Sequence, residues 1–115
     1  MPYRREELFF YIMEILNKIY NIIQERAAKP QEGSYTNTML TKGLDKILKK
    51  VGEESAETII AAKNQSKPEL IGEIADLYYH VLLMMFVKGI TPDDVAGELD
   101  KRFNKGGFHG RTDKQ

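Results

Sequence analysis

Two groups of acids in this chain have the residue types and spacing to do chemistry. Glu53, Glu54 and Glu57 sit in the run Lys49-Lys50-Val51-Gly52-Glu53-Glu54-Ser55-Ala56-Glu57, and Glu69, Glu73, Asp76 and His80 follow one another at spacings of four, three and four. At about 100° per residue, the second group falls within an arc of roughly 60° on one helix face. Lys46, Lys50, Glu53, Glu54, Glu57, Ala61 and Asn64 spread over about 100° of a preceding helix by the same geometry. If the two helices are antiparallel neighbours, Glu54 and Glu57 face Glu73 and Asp76 across a cleft.

Carboxylates gathered in a low-dielectric cleft repel one another unless a proton or a cation neutralises them. Magnesium suits the site, being a hard ion that takes carboxylate and water oxygens and is commonly shared with substrate phosphates. The expected metal set is Glu54, Glu57, Glu73 and Asp76. Lys46 and Lys50, one to three turns from Glu57, are placed to hold phosphate oxygens. The competing view is an ordinary solvated face, because acids and lysines at spacings of three and four form weak surface pairs on many helices. An acidic stripe on an otherwise apolar helix argues against that view. A single histidine on such a helix is commonly a satisfied core residue, and Tyr78, Tyr79, Met84 and Met85 read as core filling.

These residues need helices to hold them. Leu8, Ile12, Ile15, Ile19, Ile22 and Ile23 recur at three and four from Arg4 to about Ala28, the period of an amphipathic helix. Lys29-Pro30-Gln31-Glu32-Gly33 ends it. Ser34 or Thr36 caps a second helix running to about Lys63 or Gln65, with a break near Gly43 allowed. Its apolar side, Leu44, Ile47, Leu48, Val51, Ile59 and Ala62, is expected to pack inward, with Glu54 near the border. Ser66-Lys67-Pro68 opens a third helix, Glu69 to Val87, ended by Lys88-Gly89. Thr91-Pro92-Asp93-Asp94 starts a short fourth helix to about Phe103. The expectation is an all-α bundle of four to five helices: one domain over residues 1–103, then a flexible, Gly-rich basic tail at 104–115. Phe9, Phe10, Tyr11, Met13 and Leu16 put apolar surface on more than one side of the first helix, which predicts a homodimer.

Composition narrows the function classes. The chain has 115 residues, enough for a single core, with 42% hydrophobic and 30% charged residues. Lys plus Arg and Asp plus Glu are both 17, so no global field draws in nucleic acid or an anionic membrane. Without cysteine, disulfides, thiolate nucleophiles and Cys-ligated zinc are excluded. The longest apolar run, Val81 to Val87, is far below the roughly 18 residues of a membrane span, and the N-terminus lacks the pattern of a signal peptide. A cytoplasmic protein without nucleic-acid or membrane partners is expected.

The runs Ser34-Tyr35-Thr36, Lys42-Gly43-Leu44, Lys49 to Glu57, Ile60-Ala61-Ala62-Lys63-Asn64, Glu69-Leu70, Glu73 to His80 and Gly89-Ile90 carry a family resemblance. Over about residues 34–103 the chain resembles the phosphoribosyl-ATP pyrophosphatases of histidine biosynthesis. That group is a branch of the all-α, MazG-type nucleoside triphosphate pyrophosphatases, whose Glu-x-x-Glu and Glu-x-x-Asp signature corresponds to Glu54, Glu57, Glu73 and Asp76. The resemblance implies a homodimeric helical bundle, magnesium dependence, and hydrolysis of phosphoribosyl-ATP at the α–β phosphoanhydride to phosphoribosyl-AMP and pyrophosphate. The length and the absence of cysteine fit a form free of the cyclohydrolase to which such domains can be fused. Water is then the nucleophile, Glu53 or Glu54 the general base, and Lys46, Lys50, Asn64 and His80 the substrate-binding residues. The alternatives are a housecleaning pyrophosphatase for free or damaged nucleoside triphosphates, and a helical scaffold that binds no magnesium.

Overall fold

The computed structural model describes residues 5–64 and 66–104, and every regular element among them is helical. In chain order these are α1 (Arg5–Ala28), α2 (Tyr35–Lys42), α3 (Leu44–Asn64), α4 (Lys67–Val87) and α5 (Pro92–Asn104). The expected second helix is thus two. Gly43 divides it with φ +92° and ψ −178°, a backbone conformation open to glycine alone. Its N–H closes α2 on the Met39 carbonyl at 3.0 Å, and its own carbonyl accepts from Ile47 N–H at 3.2 Å to open α3. One residue therefore ends one helix and begins the next at a new angle.

The other boundaries follow local chemistry. Ser34 caps α2, accepting from the Asn37 N–H at 3.2 Å. Asn37 ties this turn back to the first helix, donating to the Arg26 carbonyl at 2.7 Å and accepting from the Gln31 N–H at 2.8 Å. Ser66 caps α4, its Oγ accepting from Glu69 N–H at 3.4 Å and donating to Glu69 Oε1 at 3.1 Å. Glu69 is thereby used as a cap and leaves the acidic stripe. Thr91 and Asp94 form a reciprocal capping box on α5, Thr91 N–H donating to Asp94 Oδ2 at 2.9 Å and Asp94 N–H to Thr91 Oγ1 at 3.2 Å. That helix runs through Asn104, one residue into the stretch expected to be tail; residues 105–115 lie outside the described residues, as do the side chains of Phe9 and Phe10.

The α3–α4 hairpin is the centre of the molecule, with α1 and α2 packed against it and α5 against α1. The core joins Tyr20 and Ile23 of α1, Met39 of α2, Ile47 of α3, and Leu82, Leu83 and Met85 of α4. Truncating a buried aliphatic side chain of this kind costs about 2–5 kcal/mol, so these residues hold the hairpin in place. The inward side of α3 keeps Ile47, with Leu44 and Val51 half-buried, from the expected set and differs in the rest. Leu48 is 42% and Ile59 66% exposed, and Ala62 is also exposed, whereas Ile47, Glu54 and Ala61 are buried. The burial stripe is rotated toward the acids because the partner helix carries polar groups that Glu54 can reach. Tyr78 is likewise a surface residue, while Met85 is core.

The 21-residue α4 is long and apolar enough, by length and composition alone, to cross a membrane, which a count of uninterrupted apolar residues does not reveal. Within the fold its His80, Leu82, Leu83 and Met85 are buried against other helices, and it carries Glu69, Glu73 and Asp76.

Candidate active site

Antiparallel pairing of α3 and α4 brings the two acid groups together. Glu57 meets Glu73, while Glu54, one turn back on α3, meets His80, farther along α4. Carboxylate oxygens of Glu54, Glu57 and Glu73 lie within 4.8 Å of one another. Asp76 is exposed beside them and acts on Glu54 and Glu73 through its charge. Three of the four expected ligands thus converge directly, and the fourth borders them.

The site carries an electrostatic load. Burial pushes the Glu54 carboxyl above the ordinary glutamate range; His80 and Lys50 oppose the rise, and Asp76 and Glu57 add to it. Desolvation also raises Glu73, followed by the hydrogen bond its protonated carboxyl donates to Glu57 and the charges of Glu57, Asp76 and Glu54. Carboxyls held in this state gain most from a cation. The donor set is all carboxylate oxygen, drawn from two helices, and fits a hard divalent ion such as magnesium.

The environment of Glu54 is unusual for an acid. It is 5% exposed, and its Oε1 lies 2.8 Å from Nδ1 of His80, itself 5% exposed. His80 Nδ1 is also 2.9 Å from the Asp76 carbonyl oxygen, and Nε2 is 2.8 Å from the Tyr35 hydroxyl. The rings of Tyr35 and Tyr79 meet the imidazole edge to face at 5.7 and 5.2 Å. The Tyr79 hydroxyl pairs with Thr36 Oγ1, so α2 is hydrogen-bonded to α4 at two adjacent positions. Burial pushes the Tyr35 hydroxyl up, so it stays protonated as a donor or acceptor.

The structure places His80, expected among the substrate-binding residues, inside the protein. Both ring nitrogens are engaged inside the protein, and little of the ring reaches solvent. Asn64 is exposed at the last residue of α3, about 15 Å along the helix axis from Glu54 at the standard rise, and does not join the acids. Glu53 also points away from them, its carboxylate exposed and 3.8 Å from Lys50 Nζ. Lys50 lies near enough to influence both Glu54 and Tyr35, at the rim of the site, and Lys46 is half-buried one turn earlier. Sequence reasoning gave Tyr35 no role, offered Thr36 only as a helix cap and read Tyr79 as core filling. Periodicity in a helix of eight residues is too short to expose one, and the only signal was the Ser34-Tyr35-Thr36 run itself.

Residues 16–103 match the family described as PRA-PH, phosphoribosyl-ATP pyrophosphohydrolase. A phosphoribosyl-ATP pyrophosphatase of Lacticaseibacillus casei is 59% identical over 87 residues, covering 76% of this chain and 79% of the relative. One from Clostridium botulinum is 57% identical over 88 residues, covering 76% and 80%. The histidine biosynthesis bifunctional protein HisIE of Caldanaerobacter subterraneus is 52% identical over 93 residues, which is 81% of this chain; the chain spans 45% of that longer relative.

Proposed function

The chain belongs to the phosphoribosyl-ATP pyrophosphohydrolase family, and on that premise we propose that it hydrolyses phosphoribosyl-ATP at the α–β phosphoanhydride to phosphoribosyl-AMP and pyrophosphate, a step of histidine biosynthesis. The observation that carries this is the convergence of Glu54, Glu57 and Glu73 from two antiparallel helices, inside the matched residues.

In this reading Glu54, Glu57 and Glu73, with Asp76 beside them, hold magnesium. When bound, the ion supplies charge neutralisation at the phosphate oxygens and a lower pKa for water. The chain's own groups do the rest. Glu54 faces the cluster and Glu53 faces solvent, so Glu54 is the base that takes the proton of the attacking water. Water oxygen bonds to phosphorus as the bridging P–O bond breaks, and pyrophosphate departs with that bond's electrons. Lys50 at the rim, with Lys46 behind it, meets phosphate oxygens through charge-assisted hydrogen bonds. No covalent enzyme intermediate is needed.

A homodimer belongs to the same reading. It is supported by an apolar groove of about 490 Å³ lined by Ile12, Leu16, Val51, Val81, Val95 and Leu99, with the exposed Tyr78 at its wall. A cytoplasmic location suits an enzyme of small-molecule biosynthesis. The test is pyrophosphate release from phosphoribosyl-ATP with and without magnesium, beside the common nucleoside triphosphates. Magnesium-dependent release with strong preference for phosphoribosyl-ATP is expected; equal turnover of ordinary triphosphates would indicate a housecleaning enzyme, and no release with any substrate a scaffold.

A further inference from the structure

We propose that Tyr35 and His80 are positioning residues: a hydrogen-bonded chain from α2 through α4 that aims the buried Glu54 carboxylate at Glu57 and Glu73 and so prepares the cation site before any ion arrives. The inference rests on the metal-site reading above and assigns the two residues no contact with substrate.

The geometry fixes where the imidazole hydrogen must be. Nδ1 lies between two acceptors, the Glu54 carboxylate at 2.8 Å and the Asp76 carbonyl at 2.9 Å. A bare nitrogen there would face lone pairs on both sides, so Nδ1 carries a hydrogen whether the ring is neutral or charged. In the neutral ring Nε2 is then an acceptor, and Tyr35 O–H at 2.8 Å donates to it. The ring cannot rotate freely, since the Tyr35 and Tyr79 rings pack on it at near-perpendicular angles of 87° and 82°. The Thr36–Tyr79 hydroxyl pair pins the same two helices one residue away.

Glu54 needs such a device. Three acids, Glu57, Glu73 and Asp76, share its neighbourhood, and repulsion from Glu57 and Asp76 would swing an untethered carboxylate outward or leave it protonated. Holding Oε1 on His80 leaves the second oxygen free for the cluster. Hydrogen-bonding partners of carboxylate ligands commonly change metal affinity or activity by about 10–100-fold when removed.

The experiment is a series at position 80, because different replacements mimic different ring nitrogens. The amide nitrogen of His80→Asn falls near Nδ1 and can still donate to Glu54, whereas the longer His80→Gln reaches the Nε2 side, and His80→Phe donates to neither. Magnesium binding to each purified, metal-stripped protein is measured by calorimetry, with helical circular dichroism as the folding control. Expected are affinity within about threefold of wild type for His80→Asn and a loss of about 10–100-fold for His80→Gln and His80→Phe. Tyr35→Phe should lose about two- to fivefold, since the hydroxyl only orients the ring. With magnesium saturating, KM for phosphoribosyl-ATP should stay at the wild-type value in all four variants.

Wild-type magnesium affinity in folded His80→Gln would overturn the proposal, as would equal losses in His80→Asn and His80→Gln. Altered KM with unaltered magnesium affinity would overturn it in favour of a substrate contact. If His80→Phe fails to fold, the Asn and Gln pair still decides. Failure of the underlying reading is separate: wild-type protein would then bind no magnesium, or Glu57→Gln would bind it as well as wild type.

Discussion

On one side of α4, Glu73, Asp76 and His80 face polar groups of α3 and α2, and the buried members are held by hydrogen bonds of normal length. On another side, Leu77, Tyr78, Val81 and Met85 border an open apolar groove with Val95, Ala96 and Leu99 of α5. Both regions use the same helix, yet burial treats them in opposite ways. His80 and its partner Glu54 are buried and paired, while Tyr78 is 52% exposed and Leu99 48%. Apolar contact is non-directional and can wait for whatever surface covers it, but a buried carboxylate has to be satisfied at defined positions within the chain. In the proposed reading, chemistry is built on the side where geometry is set internally, and association on the side left uncovered.

The largest test of this contrast is to neutralise the acidic side. Glu57→Gln and Glu73→Gln should lower turnover by about 10³-fold or more, equivalent to about 4 kcal/mol, with helical circular dichroism intact. Asp76→Asn should do the same if the exposed acid completes the cation site. Because the acids repel one another, Glu73→Gln should melt at or above the wild-type temperature in metal-free buffer. Near-wild-type turnover in all three variants would remove the metal-site assignment. Against them, Glu53→Gln should lose less than about tenfold, as its carboxylate faces Lys50 and solvent.

A charge in the groove should break association without touching the chemistry of the acids. Leu99→Asp is expected to weaken dimerisation by about 100-fold or more, the scale of a central interface residue, read by sedimentation at micromolar concentration. A wild-type protein that sediments as a monomer there would leave the groove for another partner.

Lys50 separates phosphate binding from surface pairing. Lys50→Ala should cost about 1–3 kcal/mol in kcat/KM with magnesium affinity unchanged or slightly increased. Loss of the 3.8 Å contact with Glu53 alone, on an exposed face, would cost only about 0.5 kcal/mol of stability or less and nothing in kinetics. Gly43→Ala tests how α2 reaches the site. No heavy atom lies within 4 Å of an added Cβ, so the expected loss of about 1–3 kcal/mol in chemical denaturation comes from backbone conformation.

The smallest effect expected is on the pH dependence of stability. Glu54 and Glu73 are raised above the ordinary value of 4.5, so the folded state holds their protons more tightly than the unfolded chain. Their contribution is full below 4.5 and is lost as pH rises through the folded values. In metal-free buffer the melting temperature of wild type should therefore fall, relative to Glu73→Gln, as pH rises from about 4.5 toward neutrality, and added magnesium should remove the difference.

Much of this was legible in the residues. Helix periodicity and caps such as Ser34, Ser66 and Thr91 are local properties, set by backbone hydrogen bonds that involve residues three and four apart, so the helices could be drawn from the chain alone. The spacing of Glu54, Glu57, Glu73 and Asp76 placed two acidic faces on consecutive helices for the same reason. Only tertiary structure decided which way those faces turned. It buried Glu54 and Ala61, left Ile59 in solvent, used Glu69 in a cap, turned Glu53 outward, and brought Tyr35 onto His80 across 45 positions of chain. Those outcomes depend on the angle at Gly43 and on the partners each side chain finds on another helix, which no local period encodes.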